Sequence, residues 1–312
     1  MNSPRVDWMA GAAVPAGDAV PRERVTPAAW AATFVAAALF VVLYAPTVVW
    51  LWGRWTMSVW HNAHGFLIPP AVAFFAWQEL KPLKHLPRAS SPWGFLFLIP
   101  ALGMHVLDTG IHSQILSAIS IVIALPGLSL LFLGVERTKA IAFPLAFSAF
   151  MLPIPLAITE RLHLVLRHIA TASANAALPM LGIDVFAEGT TLHLGIGPLE
   201  VGDGCSGFST LYAAGAIAAL TAYSCNHWRG RIVTLLAAAP LAIAANVLRV
   251  ILLAALAQTQ GAWIIDSWIH PASGVLTFAI ALPIIMWLGA PKPGPPAQAK
   301  TTPGEPSAEL PS

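Results

Sequence analysis

Between Ala28 and Trp52 the chain carries no acidic or basic side chain, and comparable apolar runs recur along most of its length. About 20 apolar residues in helical form cross the ~30 Å hydrocarbon core of a bilayer. Lipid offers no partners for backbone N–H and C=O groups, so a crossing segment must be a helix or part of a closed barrel. Reading at the helical scale gives eight candidate spans, at residues 28–52, 66–80, 93–107, 114–134, 140–158, 206–224, 232–257 and 273–289. Only Glu79, near one end, and Arg249, in the seventh, bring charge into them. Composition agrees: 57% of residues are hydrophobic and 10% charged, against about 25% charged in soluble domains. The expected fold is an all-α polytopic membrane protein with about eight transmembrane helices. A net charge of +2 from 16 Lys+Arg and 14 Asp+Glu excludes a nucleic-acid partner.

Lysine and arginine placement sets the expected orientation, because cytoplasmic loops are enriched in both. With the N-terminus inside, the cytoplasmic segments hold Arg5, Arg22, Arg24, Lys81, Lys84, Arg88, Arg137, Lys139, Arg229, Arg231, Lys292 and Lys300. The opposite side holds Arg54, Arg161 and Arg167. Both termini are therefore expected in the cytoplasm of a multi-pass inner (plasma) membrane protein. Residues 1–27 and 291–312, rich in Pro, Gly and Ala, read as disordered cytoplasmic tails around a membrane domain at 28–290.

One long segment, 159–204, is expected outside the membrane. Residues 160–181 repeat apolar side chains at helical spacing, with Arg161, His163, Arg167 and His168 among them, as in a helix lying along the outer interface. Residues 183–201 alternate like strand, with Gly189, Gly195 and Gly197 as punctuation, and suggest a small β-hairpin. Trp50, Trp52, Trp55 and Trp60 read as an interfacial belt near one outer boundary.

Three residues carry chemistry. Cys205 lies at the outer start of the sixth span, where unpaired N–H groups and the positive end of a helix favour thiolate; packing as a small buried residue is the alternative. Arg249 is an intramembrane charge and hence a functional candidate, sharing a helix face with Asn246 three residues earlier. The alternative is an arginine that snorkels or braces a neighbouring helix. His270 opens the eighth span in His270-Pro271-Ala272-Ser273-Gly274. A nucleophile, a cation and an acid–base group at one membrane side are the parts that acyl transfer requires. Cys225, about 30 Å further along the sixth span, reads as packing.

The run Glu200-Val201-Gly202-Asp203-Gly204-Cys205-Ser206-Gly207, followed by Asn246-x-x-Arg249 and His270-x-x-x-Gly274, resembles the exosortase/archaeosortase family. Two more segments fit: His64-Gly65-Phe66-Leu67-Ile68-Pro69, and Phe143-Pro144-Leu145-Ala146-Phe147 with Met151-Leu152-Pro153-Ile154-Pro155. Two features depart from the common pattern: Asp203-Gly204 before the cysteine, and Ser209-Thr210 where a basic residue often falls. The resemblance implies a membrane sortase-like cysteine transpeptidase with Cys205, Arg249 and His270 as its catalytic set. It implies a thioester on Cys205, an oxyanion held by Arg249, and proton transfers through His270. The implied partners are exported proteins with a C-terminal sorting signal (a motif, a transmembrane helix, a basic tail), an acceptor at the cell surface, and the lipid bilayer. The active site would face the extracytoplasmic, periplasmic side.

Supporting roles are open to Ser206, Asn246, Glu200, Asp203, His64 and Gly274. Glu200 and Asp203 stand either to orient His270 or hold a ligand, or on a solvated loop. His61 and His64 lack an acidic companion and the chain has no His-Glu-x-x-His, so no metal and no cofactor is expected. His163 and His168 read simply as interface residues. Two rival readings remain: a rhomboid-like serine protease using Ser206 and His270, and a non-enzymatic polysaccharide-export membrane component.

Overall fold

A computed structural model describes residues 27–56, 63–86 and 89–290; His61, Trp60, Arg88 and both expected tails up to residue 26 and from 291 lie outside them. Helix α1 (Pro27–Thr56) is followed by a 3-10 turn (Ala63–Leu67) and α2 (Ile68–Leu80), then by an antiparallel pair, α3 (Gly94–Ile111) and α4 (Ile115–Ala140). Next come α5 (Ala142–Phe147), α6 (Leu156–Ala177), strands β1 (Val185–Glu188), β2 (Thr191–Leu194) and β3 (Gly197–Glu200), α7 (Phe208–Ser224), α8 (Trp228–Gln260), the single turn α9 (Trp263–Asp266) and α10 (Ile269–Leu288). Thr33–Thr56 of α1, together with α3, α4, α8 and α10, are five helices long and apolar enough to cross a membrane. The chain is a polytopic helical membrane protein.

The second, fifth and sixth expected spans are shorter as helices. The fifth is broken: α5 passes into a 3-10 turn (Ser148–Met151), and Leu152 to Pro155 carry the chain on to α6. Pro153 and Pro155 explain the break, since neither can donate to a continuing helix. Near one end of α7, Tyr223 donates to Glu79 Oε1 at 2.6 Å and stacks on Phe143 with ring centres 3.8 Å apart. Toward the other end, Tyr212 donates to the Leu152 carbonyl at 3.1 Å and meets the His64 ring edge-on. The two tyrosines are about 16 Å apart along the helix at 1.5 Å per residue. The segments 64–79 and 143–152 therefore both run beside α7 over that depth.

Small side chains let the helices approach. Ala214 and Ala218 of α7 pack on Ala238 and Ala242 of α8 with Ile285 of α10, the close contact that association in lipid favours where apolar burial gives no drive. In a second buried cluster Tyr44 shares a hydrogen bond with Ser120 at 2.9 Å, and Trp55 donates to the Met151 carbonyl at 2.9 Å. Trp55 is thus a buried packing residue, not part of an interfacial belt. Its indole needs a partner once buried, and Met151 at the helix break supplies one.

The segment before α7 forms a cap over one end of the bundle. The expected helix forms as α6, which buries Thr159, His163, Leu166, Ala170 and Ala174 and leaves Ile158, Leu162 and Val165 exposed. The expected hairpin is a three-stranded antiparallel meander, β1-β2-β3. Leu192, Leu194 and Val201 turn one face of it onto Ala170, Ala174, Val250 and Ala254. Helix α8, with 33 residues, is about 50 Å long. Val250 and Ala254 in its second half pack against this cap, and Arg249 beside them is buried.

Candidate active site

Three elements converge under the cap. A 3-10 turn (Asp203–Cys205) leads from β3 toward α7, placing Cys205 before the helix rather than in its first turn. Gly207 makes the entry possible: its φ of +80° is left-handed, and a side chain there would run into Asn246. Asn246 donates from Nδ2 to the Cys205 carbonyl at 2.9 Å. One turn along α8, the Arg249 guanidinium donates to the Gly204 carbonyl at 3.0 Å, the His270 carbonyl at 3.3 Å and Ser273 Oγ at 3.0 Å. The three-residue spacing expected to put Asn246 and Arg249 on one face thus aims both at the cysteine turn. Gly274 gives the guanidinium room, since a Cβ there would stand 3.2 Å from the guanidinium carbon.

His270, in the first turn of α10, brings Nε2 to 2.8 Å from Cys205 Sγ. Its ring is also held by a hydrogen bond to the Ile265 backbone, with the Asp266 carboxylate nearby. With Nε2 facing the thiol, Nδ1 is the nitrogen left for Ile265. That arrangement leaves the Nε2 lone pair for the thiol proton. Asp266 and Ile265 belong to no sequence motif; only the fold of α9 identifies them. Glu200 is exposed on β3 and lines the small cavity in front of Cys205 and His270. Asp203 begins the cysteine turn, its side chain outside the described part of the structure. His64 stands apart from this constellation, against Tyr212.

Ser206 is paired differently from the serine-protease reading. Its hydroxyl lies 2.6 Å from His163 Nδ1 and accepts the Phe208 N–H at 3.3 Å, while His270 faces the thiol. Ser206 is 1% exposed. His163, expected to be an interface residue, instead reaches inward from α6 and packs its ring at a tilt against Phe208, with ring centres 4.8 Å apart. Replacing Ser206 by alanine removes a hydrogen bond from the buried His163 imidazole, which costs about 0.5–1.5 kcal/mol. We expect Ser206→Ala to lower the thermal midpoint of the detergent-solubilised protein while Cys205 stays reactive toward iodoacetamide. Cys225 is buried with Sγ 3.4 Å from His227 Nδ1, at the far end of α7.

The electrostatics of Cys205 also differ from expectation. Burial pushes the thiol up from its ordinary value, and the Arg249 guanidinium pulls it part of the way back. Helix α7 begins three residues later, so its N-terminus does not hold a thiolate. Burial thus disfavours the thiolate, and the thiol stands beside an imidazole nitrogen placed to take its proton. Because the thiolate form is disfavoured, alkylation of Cys205 by iodoacetamide should keep rising as pH passes 9. A plateau between pH 7 and 8 would indicate a preformed thiolate instead.

Comparison with known proteins gives one match. A family model described as transmembrane exosortase covers residues 52–287. No curated protein and no solved structure matches the chain. The matched region contains every residue of the constellation around Cys205.

Proposed function

Because the chain belongs to the transmembrane exosortase family, we propose that it is a cysteine transpeptidase that cleaves C-terminal sorting signals of exported proteins. The observation that carries this reading is the 2.8 Å contact between Cys205 Sγ and His270 Nε2, beside a cavity and beneath a buried arginine. The substrate has a recognition motif, a transmembrane helix and a basic cluster in that order. The protein lies in the plasma membrane with both termini in the cytoplasm, and the Cys205 end of the bundle faces outward.

In the first step Cys205 Sγ attacks the scissile carbonyl carbon, and its proton passes to His270 Nε2. The carbonyl oxygen becomes an oxyanion. Three of the five Arg249 N–H groups are engaged by Gly204, His270 and Ser273, and the other two are free to meet the oxyanion in a medium where charge is weakly screened. Collapse breaks the C–N bond, with the proton returning from His270 to the leaving amine. The amine departs with the transmembrane helix and basic tail, and the acyl part stays on Cys205 as a thioester. An acceptor nucleophile then gives its proton to His270, attacks the thioester and releases the thiol.

The test is co-expression with an exported reporter ending in motif, transmembrane helix and basic cluster, taken from a protein encoded beside this chain. Mass spectrometry should find a new C-terminus on the reporter, at the amino side of its transmembrane helix, only when Cys205 is intact. A reporter of unchanged length with the unaltered chain counts against the proposal. A thiol-independent new end would favour the serine reading.

A further inference from the structure

Strand β3 is an edge. In the order β1-β2-β3 its inner side pairs with β2, and among the described residues no strand pairs with its outer side. The register and the Val201 N–H bond to the Thr190 carbonyl fix which groups face which way. Positions 197, 199 and 201 turn N–H and C=O inward to β2, and positions 198 and 200 turn theirs outward. Pro198 has no N–H to offer, and the Glu200 carbonyl accepts the Gly202 N–H at 3.1 Å. Among the described residues, the outer-edge groups that make no hydrogen bond are one acceptor, the Pro198 carbonyl, and one donor, the Glu200 N–H.

A parallel strand uses that combination. In parallel pairing one incoming residue donates its N–H to the carbonyl before its opposite number and accepts from the N–H after it. Opposite Leu199, those groups are Pro198 C=O and Glu200 N–H. An antiparallel partner would have to share the Glu200 carbonyl with Gly202, whereas the parallel pairing uses two groups that make no other hydrogen bond among the described residues. The edge also leads straight to the chemistry: Leu199, Glu200 and Gly202 line a cavity of about 140 Å³ together with Cys205, Ile265 and His270.

We propose that the substrate polypeptide adds to the outer edge of β3 as a short parallel strand, bridged to Pro198 C=O and Glu200 N–H, before its scissile bond reaches Cys205. This rests on the reading of the chain as a peptide-cleaving thiol enzyme, and it gives the substrate a direction. From β3 the protein's own chain passes through the Cys205 turn into α7. A substrate parallel to β3 likewise runs from its exported domain, past the thiol, into its transmembrane helix. Main-chain bonding of this kind supplies affinity without demanding particular side chains.

Glu200→Pro removes the donor while sparing the β2 ladder, because an edge position whose N–H points outward tolerates proline, as Pro198 does already. With the full-length protein in detergent and a synthetic peptide spanning the bond cleaved in the reporter, Glu200→Pro should raise KM about tenfold above that of Glu200→Ala. The iodoacetamide alkylation rates of Cys205 in the two variants should agree within about twofold, showing that the turn is intact. Equal KM values would overturn the proposal. On the unaltered protein, N-methylating the peptide one residue at a time should reveal one sensitive position on the amino side of the cleaved bond. Sensitivity only on the carboxyl side, or none, would also overturn it. A reporter that the unaltered chain never shortens is a different failure, that of the peptide-cleaving reading itself.

Discussion

Substituting Cys205 by alanine or serine is expected to lower reporter processing by about 10⁴-fold or more, the scale on which loss of a nucleophile acts in acyl-transfer enzymes. Serine is the sharper variant. It keeps a hydroxyl in reach of His270 Nε2, where the thiol now stands at 2.8 Å, and the turn retains its bonds from Asn246 and Arg249. What it loses is nucleophilicity: a serine hydroxyl is much the weaker nucleophile at neutral pH. Protein levels in the membrane should match those of the unaltered chain, because Cys205 contributes little packing that serine does not replace. Quantitative immunoblotting of the shortened and full-length reporter measures both. Residual processing above about one part in a hundred would remove Cys205 from the chemistry.

Arg249→Lys is expected to reduce turnover by at least about 10²-fold, comparable to loss of an oxyanion donor. The reason is geometric. The guanidinium reaches acceptors on two elements at once, Gly204 in the cysteine turn and His270 with Ser273 on α10. An ammonium is a point charge without that planar fork. Charge conservation alone therefore does not rescue the site. Arg249→Ala should lose as much or more and, with the cation gone, push the Cys205 thiol further up, since the guanidinium is what lowers it against burial. Alkylation of Cys205 by iodoacetamide at pH 8 should accordingly slow in Arg249→Ala. A lysine variant that processes the reporter normally would reduce Arg249 to a source of charge.

Much of this was legible in the sequence for physical reasons. Lipid forces helices, so uninterrupted apolar runs report spans directly, and five of the eight appear as full-length helices. Arg249 stood out because charge is costly at that depth, and its three-residue offset from Asn246 survives as two bonds to adjacent carbonyls, Cys205 and Gly204. Other features depend on contacts between distant segments, which hydropathy does not encode. The 43-residue separation of His163 from Ser206 hid a buried pair behind an ordinary interfacial pattern. Two prolines in Pro153-Ile154-Pro155 marked the end of the fifth span, but its apolar composition outweighed them. The third strand was obscured by Gly197-Pro198, residues that read as turn yet suit an edge whose outward position needs no N–H. Hydropathy does not mark the true start of the sixth span, because apolar composition extends to Cys205 while the left-handed Gly207 delays the helix to Phe208.

The most direct measurement is mass spectrometry of the peptide containing Cys205, isolated from full-length protein after brief exposure to the cleavable reporter. The account predicts an added mass equal to the reporter's acyl segment, lost on treatment with hydroxylamine as a thioester is, and absent from Cys225. A reporter shortened with a correct new C-terminus while Cys205 stays unmodified throughout turnover, and dispensable for it, would contradict the account.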